Sequence, residues 1–190
     1  MVVAMSTAPI GYGRPFTRAD LERMPDDGRR YELIDGVLIV SAAPGRVHQR
    51  AVLNVAIVLR DACPPEFEVL IAPFAVGLAD DTEMQPDVLV ARRDQLTDRD
   101  LPGPPALAVE VLSPSTRMID LNIKRKRFEW AGTPSFWVVD PVARPDEAQL
   151  IAWELGPDGE YRQVADLTGE KEFAATSPYP VSVVPAALVR

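Results

Sequence analysis

The sequence predicts an α/β fold: a mixed β-sheet flanked by helices, with an N-terminal β-hairpin. Three observations predict it. RRYELIDGVLIVSA (29–42) sets two strand-like runs on either side of Asp35-Gly36, the pair suited to a type I′ turn. Residues 106–140 read as a strand, a helix of about four turns and a second strand, and a right-handed crossover makes those two strands parallel. QLIAWEL (149–155) and EYRQVADL (160–167) flank the turn formers Gly156, Pro157, Asp158 and Gly159, so they pair as a closing hairpin.

The elements follow in order. FTRADLERM carries a helix start, with Thr17 as N-cap, Asp20 at the third helical position and Phe16 placed to staple onto Leu21; Pro25 and Asp26-Asp27-Gly28 end it. After the entry hairpin, residues 46–60 bring Val52, Val55, Ala56 and Leu59 to one helical face, and Cys63-Pro64-Pro65 stops the helix. EVLIAPFAVGL (68–78), DVLVA (87–91), ALAVEVL (106–112) and SFWVVD (135–140) read as strands. Between the last two, a helix runs from about Thr116 to Ala131 and closes at Gly132. Neither repeats nor low-complexity stretches interrupt the chain, and its 19 prolines are scattered. The expected organisation is a flexible N-terminal segment over 1–14 and one domain over 15–190.

At 190 residues the chain can bury roughly 70% of the surface it exposes when unfolded. No apolar run approaches a bilayer span, and MVVAMSTAPI lacks the basic region and long apolar core of a signal peptide. The single cysteine, Cys63, excludes an intramolecular disulfide framework and a cysteine-rich zinc site. A cytoplasmic protein without a membrane partner is the expectation. The formal charge of -8 argues against a generic nucleic-acid coat. It is uneven: residues 61–116 hold 11 acidic and 3 basic side chains, whereas RMIDLNIKRKR (117–127) holds five basic residues and one acid. That basic stretch is either a solvated helix face or a weak, salt-sensitive polyanion site.

The residues that could carry chemistry begin with Glu110, set in the otherwise apolar run LAVEVL. A buried carboxylate costs several kcal/mol unless a cation or donors meet it. Asp87, at the start of DVLVA, can converge on Glu110 if their strands are neighbours. Two such carboxylates suit a hard cation such as Mg²⁺; equally, Asp87 could cap a turn while Glu110 pairs with a basic side chain of the following helix. Asp120, Lys124 and Phe128 share one helical stripe, so Lys124 either points inwards towards Glu110 or forms a surface pair with Asp120. By residue type alone, Glu32 reads as an exposed strand carboxylate, and His48, followed by Gln49, as a solvent-facing or capping histidine. HExxH, a phosphate-binding Gly-rich loop and GxSxG are all absent, which disfavours zinc proteases, P-loop NTPases and α/β-hydrolases.

Taken in order, YELIDG, His48-Gln49 opening a helix, QPDVLV, VEVLSPST, DLNIKRKRFEWAG and FWVVDP resemble the Uma-type putative restriction endonuclease family, within the PD-(D/E)XK nuclease superfamily. The resemblance spans roughly residues 15–185 and implies a restriction-endonuclease-like mixed sheet flanked by helices. The motif aspartate matches Asp87, preceded by Pro86, and the second acid matches Glu110. The motif lysine would fall two residues later, where Leu112 stands; in the Uma-type family the lysine comes from the following helix, and Lys124 matches it. Glu32 matches the N-terminal glutamate, and His48 and Gln49 also match, as additional candidates.

The resemblance further implies a metal-dependent endonuclease acting on DNA phosphodiesters. Asp87, Glu110 and the Val111 carbonyl would hold one or two Mg²⁺ (or Mn²⁺) ions that activate a water. Lys124 would orient that water or neutralise the phosphoryl oxygens, and Glu32 would complete the site. A homodimer is compatible with cutting both strands, because one site per subunit gives twofold symmetry. Two other readings remain: a non-catalytic binding or regulatory protein on the same fold, and a hydrolase of small phosphoesters.

Overall fold

The computed structural model describes residues 13–190 except 115 and 143. Of the segment expected to be flexible, 1–14, only Gly13 and Arg14 are among the described residues. Helix α1 (Arg18–Leu21) starts where expected: the Asp20 carboxylate accepts the Thr17 backbone N–H at 2.9 Å. It is a single turn, shorter than FTRADLERM suggests. Arg23 and Met24 already donate to the carbonyls three residues back, at 3.2 and 3.0 Å, and Pro25 disfavours helical backbone in the residue before it.

Strands β1 (Arg30–Ile34) and β2 (Val37–Ser41) form the expected hairpin, with Ile34 opposite Val37. Asp35 and Gly36 have φ of 49° and 76°, the two positive values a type I′ turn requires. Helix α2 (Arg46–Asp61) buries Ala51, Val52, Val55 and Leu59. The run expected as one strand over 68–78 is two, β3 (Phe67–Ile71) and β4 (Ala75–Ala79), which belong to different sheets. Pro73 lies between them and cannot donate to a ladder, so the chain changes sheets there.

The remaining strands are β5 (Thr82–Met84), β6 (Val88–Arg92), β7 (Asp100–Pro102), β8 (Leu107–Val111), β9 (Ser135–Asp140), β10 (Gln149–Leu155), β11 (Tyr161–Thr168), β12 (Phe173–Ala175) and β13 (Val181–Val183). Between β8 and β9 lie a π-helical turn, Ile119–Lys124, and α3 (Arg125–Ala131), stopped by Gly132 at φ 83°. Helix α4 (Pro185–Leu188) follows β13. As expected, β8 and β9 run parallel and β10 pairs antiparallel with β11.

The central sheet has the order β11-β10-β9-β8-β6-β3. The entry hairpin belongs to a second sheet, β2-β1-β5-β4-β7, and β12-β13 is a separate ribbon. Side-chain alternation along the central strands divides the core. Val88, Val90, Leu107, Val109, Val111, Trp137 and Val139 face α2 and the C-terminal elements. On the opposite face Leu89, Ala91, Ala108, Leu112, Phe136 and Val138 meet Phe128 of α3 and Ile34, Val76 and Met84 of the second sheet. By the same alternation Glu110 points to this second face, towards α3 and the hairpin. Arg127 ties those two together, reaching Asp35 and the Thr82 hydroxyl, each at 3.2 Å. Among the described residues, no helix is long and apolar enough to cross a membrane.

The segment leading into α1 is held electrostatically. Arg14 donates two 2.8 Å hydrogen bonds to Asp20, whose side chain is buried. These bonds first, then the Thr17 N–H, hold the Asp20 carboxyl far below its ordinary value of 3.8. A depressed carboxyl pKa stabilises the fold above the unfolded value, and that stability disappears as pH falls through the folded one. Asp20→Asn is therefore expected to lower the urea midpoint at pH 6, with the gap to wild type shrinking below pH 3.8.

Candidate active site

Glu110 and Asp87 come together through strand pairing. In the antiparallel β6–β8 ladder Val88 lies opposite Val109, which sets Asp87 beside Glu110. The two strands are also tied through a side chain, because the Val111 backbone N–H donates to Asp87 Oδ2 at 2.8 Å. The second sheet supplies Glu32. Type and alternation suggested an exposed carboxylate, but β1 lies over the central sheet and Glu32 is only 1% exposed. Glu32 Oε1 accepts the Gln85 backbone N–H at 2.9 Å, which fixes it against the loop leading to Asp87.

Lys124 answers for the buried charges. Its ammonium lies 2.9 Å from Glu32 Oε1, 3.1 Å from Glu110 Oε1 and 3.7 Å from Asp120 Oδ1, and it is only 1% exposed. The inward-facing alternative therefore holds, although the backbone here is π-helical. Such turns recur at functional sites; this one delivers both Asp120 and Lys124 to the interior.

Asp87 has its own set of donors. Besides Val111 N–H, Oδ2 is 3.1 Å from His48 Nε2, and Oδ1 accepts Arg30 Nη1 at 2.8 Å. Arg30 also stands 3.5 Å from Glu32 and donates to the Gln85 carbonyl at 3.2 Å. His48 is thus a partner of Asp87 rather than a solvent-facing residue. Gln49 is exposed, and the site does not gather it. Arg30 and Asp120 escaped notice as site residues. Arg30 lies two positions before Glu32 on the same strand face, and that period-two spacing was the available signal.

The electrostatics follow from burial. Burial alone would raise Asp87, but the His48 hydrogen bond and the Arg30 charge outweigh it and bring the carboxyl to about 2. Burial pushes Glu110 well above its ordinary value despite Lys124, with Asp120, Asp87 and Glu32 adding to the rise. Asp120 is raised for the same reasons. Burial would lower Lys124; Glu110, Glu32 and Asp120 reverse that and keep it charged. Glu32, Glu110 and Asp120 thus face the Lys124 ammonium, and Glu32 and Asp87 face the Arg30 guanidinium.

The donor set suits a hard cation. It offers carboxylate oxygens, and the backbone carbonyl of Val111, next to Glu110 in the chain, would add a further oxygen. Glu110 Oε2 is buried with no hydrogen-bond partner among the described residues, as is Asp120 Oδ1. No three acidic, histidine or cysteine side chains among the described residues are already gathered around one point. Arg30 and Lys124 hold the carboxylates apart.

Breaking a buried charge cluster by removing one partner costs about 3–5 kcal/mol. Lys124→Met is expected to lose stability in that range by urea unfolding. Adding Glu110→Gln should restore part of the loss, because it removes a carboxylate left without a cation.

Residues 18–186 match the Uma2 family, described as "Putative restriction endonuclease". No curated protein matches the chain. Among solved structures, the chain is similar to a putative nuclease of family DUF820 from Anabaena variabilis ATCC 29413. Identity is 17%, the match covers 92% of this chain and 98% of that one, and the TM-score is 0.69. At that identity the likeness is one of fold, and it agrees with the expected architecture of mixed sheets flanked by helices with an entry hairpin. The chain belongs to the Uma2 family of putative restriction endonucleases.

Proposed function

We propose that this protein is a divalent-metal-dependent endonuclease that hydrolyses DNA phosphodiesters. The observation that carries the reading is the buried Glu32 and Glu110 on the Lys124 ammonium, with Asp87 tied to the neighbouring Val111 N–H and Glu110 Oε2 left without a hydrogen-bond partner among the described residues. Asp87, Glu110 and the Val111 carbonyl would hold Mg²⁺ or Mn²⁺. A bound dication supplies a lowered water pKa and neutralises charge developing on phosphoryl oxygens.

The chain's own groups do the rest. The Lys124 ammonium, fixed by Glu32 and Glu110, is a preorganised positive charge that can hold the attacking water or meet a phosphoryl oxygen without reorganising. Glu32 keeps that ammonium in place through its own bond to Gln85 N–H. His48 fixes the Asp87 carboxylate from the opposite side to Arg30. A twofold dimer would serve both strands of a duplex, and the reading places the protein in the cytoplasm.

The test is plasmid nicking with Mg²⁺ and Mn²⁺, beside calorimetric titration of each ion. Wild type is expected to bind the ion and nick DNA, and Asp87→Ala, Glu110→Ala and Lys124→Ala to lose activity by about 100-fold or more. Ion affinity should fall in the first two variants. Ion binding unchanged by Asp87→Ala and Glu110→Ala would contradict the metal assignment. Turnover of small phosphoesters with no nicking and no salt-sensitive duplex binding would move the substrate from DNA to small molecules.

A further inference from the structure

Of the two cations among the carboxylates, only one borders open space. Lys124 is sealed in, whereas the Arg30 side chain is 21% exposed. Arg30 and Gln85 also line a 570 Å³ cleft between α1 and the β1–β5 edge. The other arginines of that cleft are committed elsewhere. Arg18 is held by Glu83 and Asp100, each at 2.7 Å, and Arg29 faces Asp27 at 3.5 Å.

Lone-pair counting on Asp87 shows what Arg30 does. A carboxylate offers about four acceptor positions. Val111 N–H and His48 take the two on Oδ2, and Arg30 takes one on Oδ1. The remaining position is on the oxygen that already carries the guanidinium. A dication arriving there would share one oxygen with a cation, an arrangement opposed by direct Coulomb repulsion.

We propose that Arg30 is a displaceable stand-in for the cation, leaving Asp87 for a substrate phosphate in the adjoining cleft and so coupling metal entry to nucleic-acid binding. The inference rests on the metal-dependent reading above. A guanidinium suits the exchange, since its planar fork matches phosphate as well as carboxylate. Its stem is anchored in β1, so only the head group needs to move. With Arg30 withdrawn, Asp87 Oδ1 becomes available together with Glu110 Oε2, which has no hydrogen-bond partner among the described residues.

The test is Mn²⁺ calorimetry on wild type, Arg30→Gln and Asp87→Ala, each alone and with a short phosphorothioate DNA duplex that resists cleavage. For wild type, the duplex should tighten Mn²⁺ binding by roughly ten-fold or more. Arg30→Gln should bind Mn²⁺ more tightly than wild type without duplex, bind duplex more weakly, and lose most of the coupling. A merely structural role would weaken both. If Arg30→Gln does not fold, the wild-type Arg30 Nε–H resonance decides: it should shift when duplex is added without metal, and an unmoved signal overturns the proposal. Mn²⁺ binding that requires Asp87 but is indifferent to both duplex and Arg30→Gln overturns the role of Arg30 and leaves the metal reading standing. Wild type that binds no Mn²⁺ in either condition, or binds it equally after Asp87→Ala, overturns both.

Discussion

The buried Lys124 ammonium is the constraint on which the rest of the site depends. Removing an ammonium from water costs several kcal/mol, and the cost is met only where carboxylates stand at contact distance. Here they come from three places: Glu32 from the second sheet, Glu110 from the centre of the main sheet, and Asp120 from the turn that carries Lys124 itself. Each of those carboxylates is buried too and needs the lysine in return. The cluster therefore fixes how the hairpin sits over the main sheet. Arg127, reaching Asp35 and Thr82, reinforces the same alignment from the next turn of helix.

This arrangement accounts for Leu112. A lysine two residues after Glu110 would share its strand face, and Leu112 does share it, packing in the apolar layer with Phe128 and Phe136. A lysine there would have to be accommodated within that layer. Moving the charge to the helix keeps the strand apolar and still delivers the ammonium to Glu110 at 3.1 Å. On the proposed nuclease reading, what matters is the position of the charge, and two different backbone positions can supply it.

How much of this was legible in the sequence depended on whether the signal was local. The entry hairpin, the crossover from β8 to β9 and the closing hairpin were legible because turn chemistry and periodicity are written in adjacent residues. The pairing of Asp87 with Glu110 was legible as soon as β6 and β8 were taken as neighbours. The three-residue strands β5 and β7 were not, because three residues carry too little alternation to stand out. Without them the second sheet could not be seen, nor could the burial of Glu32 and the partial burial of Arg30, which depend on that sheet lying over the first. His48 misled for a related reason. Its partner Asp87 is 39 residues away and is brought to it only by the tertiary fold.

The basic run 117–127 shows how pairing changes the meaning of charge. As a sequence it carries five positive residues and suggests a polyanion site or a solvated face. In the fold every one of them is engaged. Arg117 meets Asp140, Lys124 is buried among carboxylates, Arg125 lies over the Trp153 ring, Lys126 meets Glu129, and Arg127 meets Asp35. Four of the five face carboxylates, so this helix is a weaker anchor for a phosphate backbone than its sequence suggests. In a protein of net charge -8, the proposed nuclease reading would then draw its attraction for a polyanion chiefly from the proposed site itself. A divalent ion among Asp87 and Glu110, together with an arginine released at the mouth of a cleft, would reverse the local sign only where a phosphate is to be held. Such a protein would bind nucleic acid weakly along its surface and strongly at one point, which suits an enzyme that acts on a single phosphodiester better than one that coats a duplex.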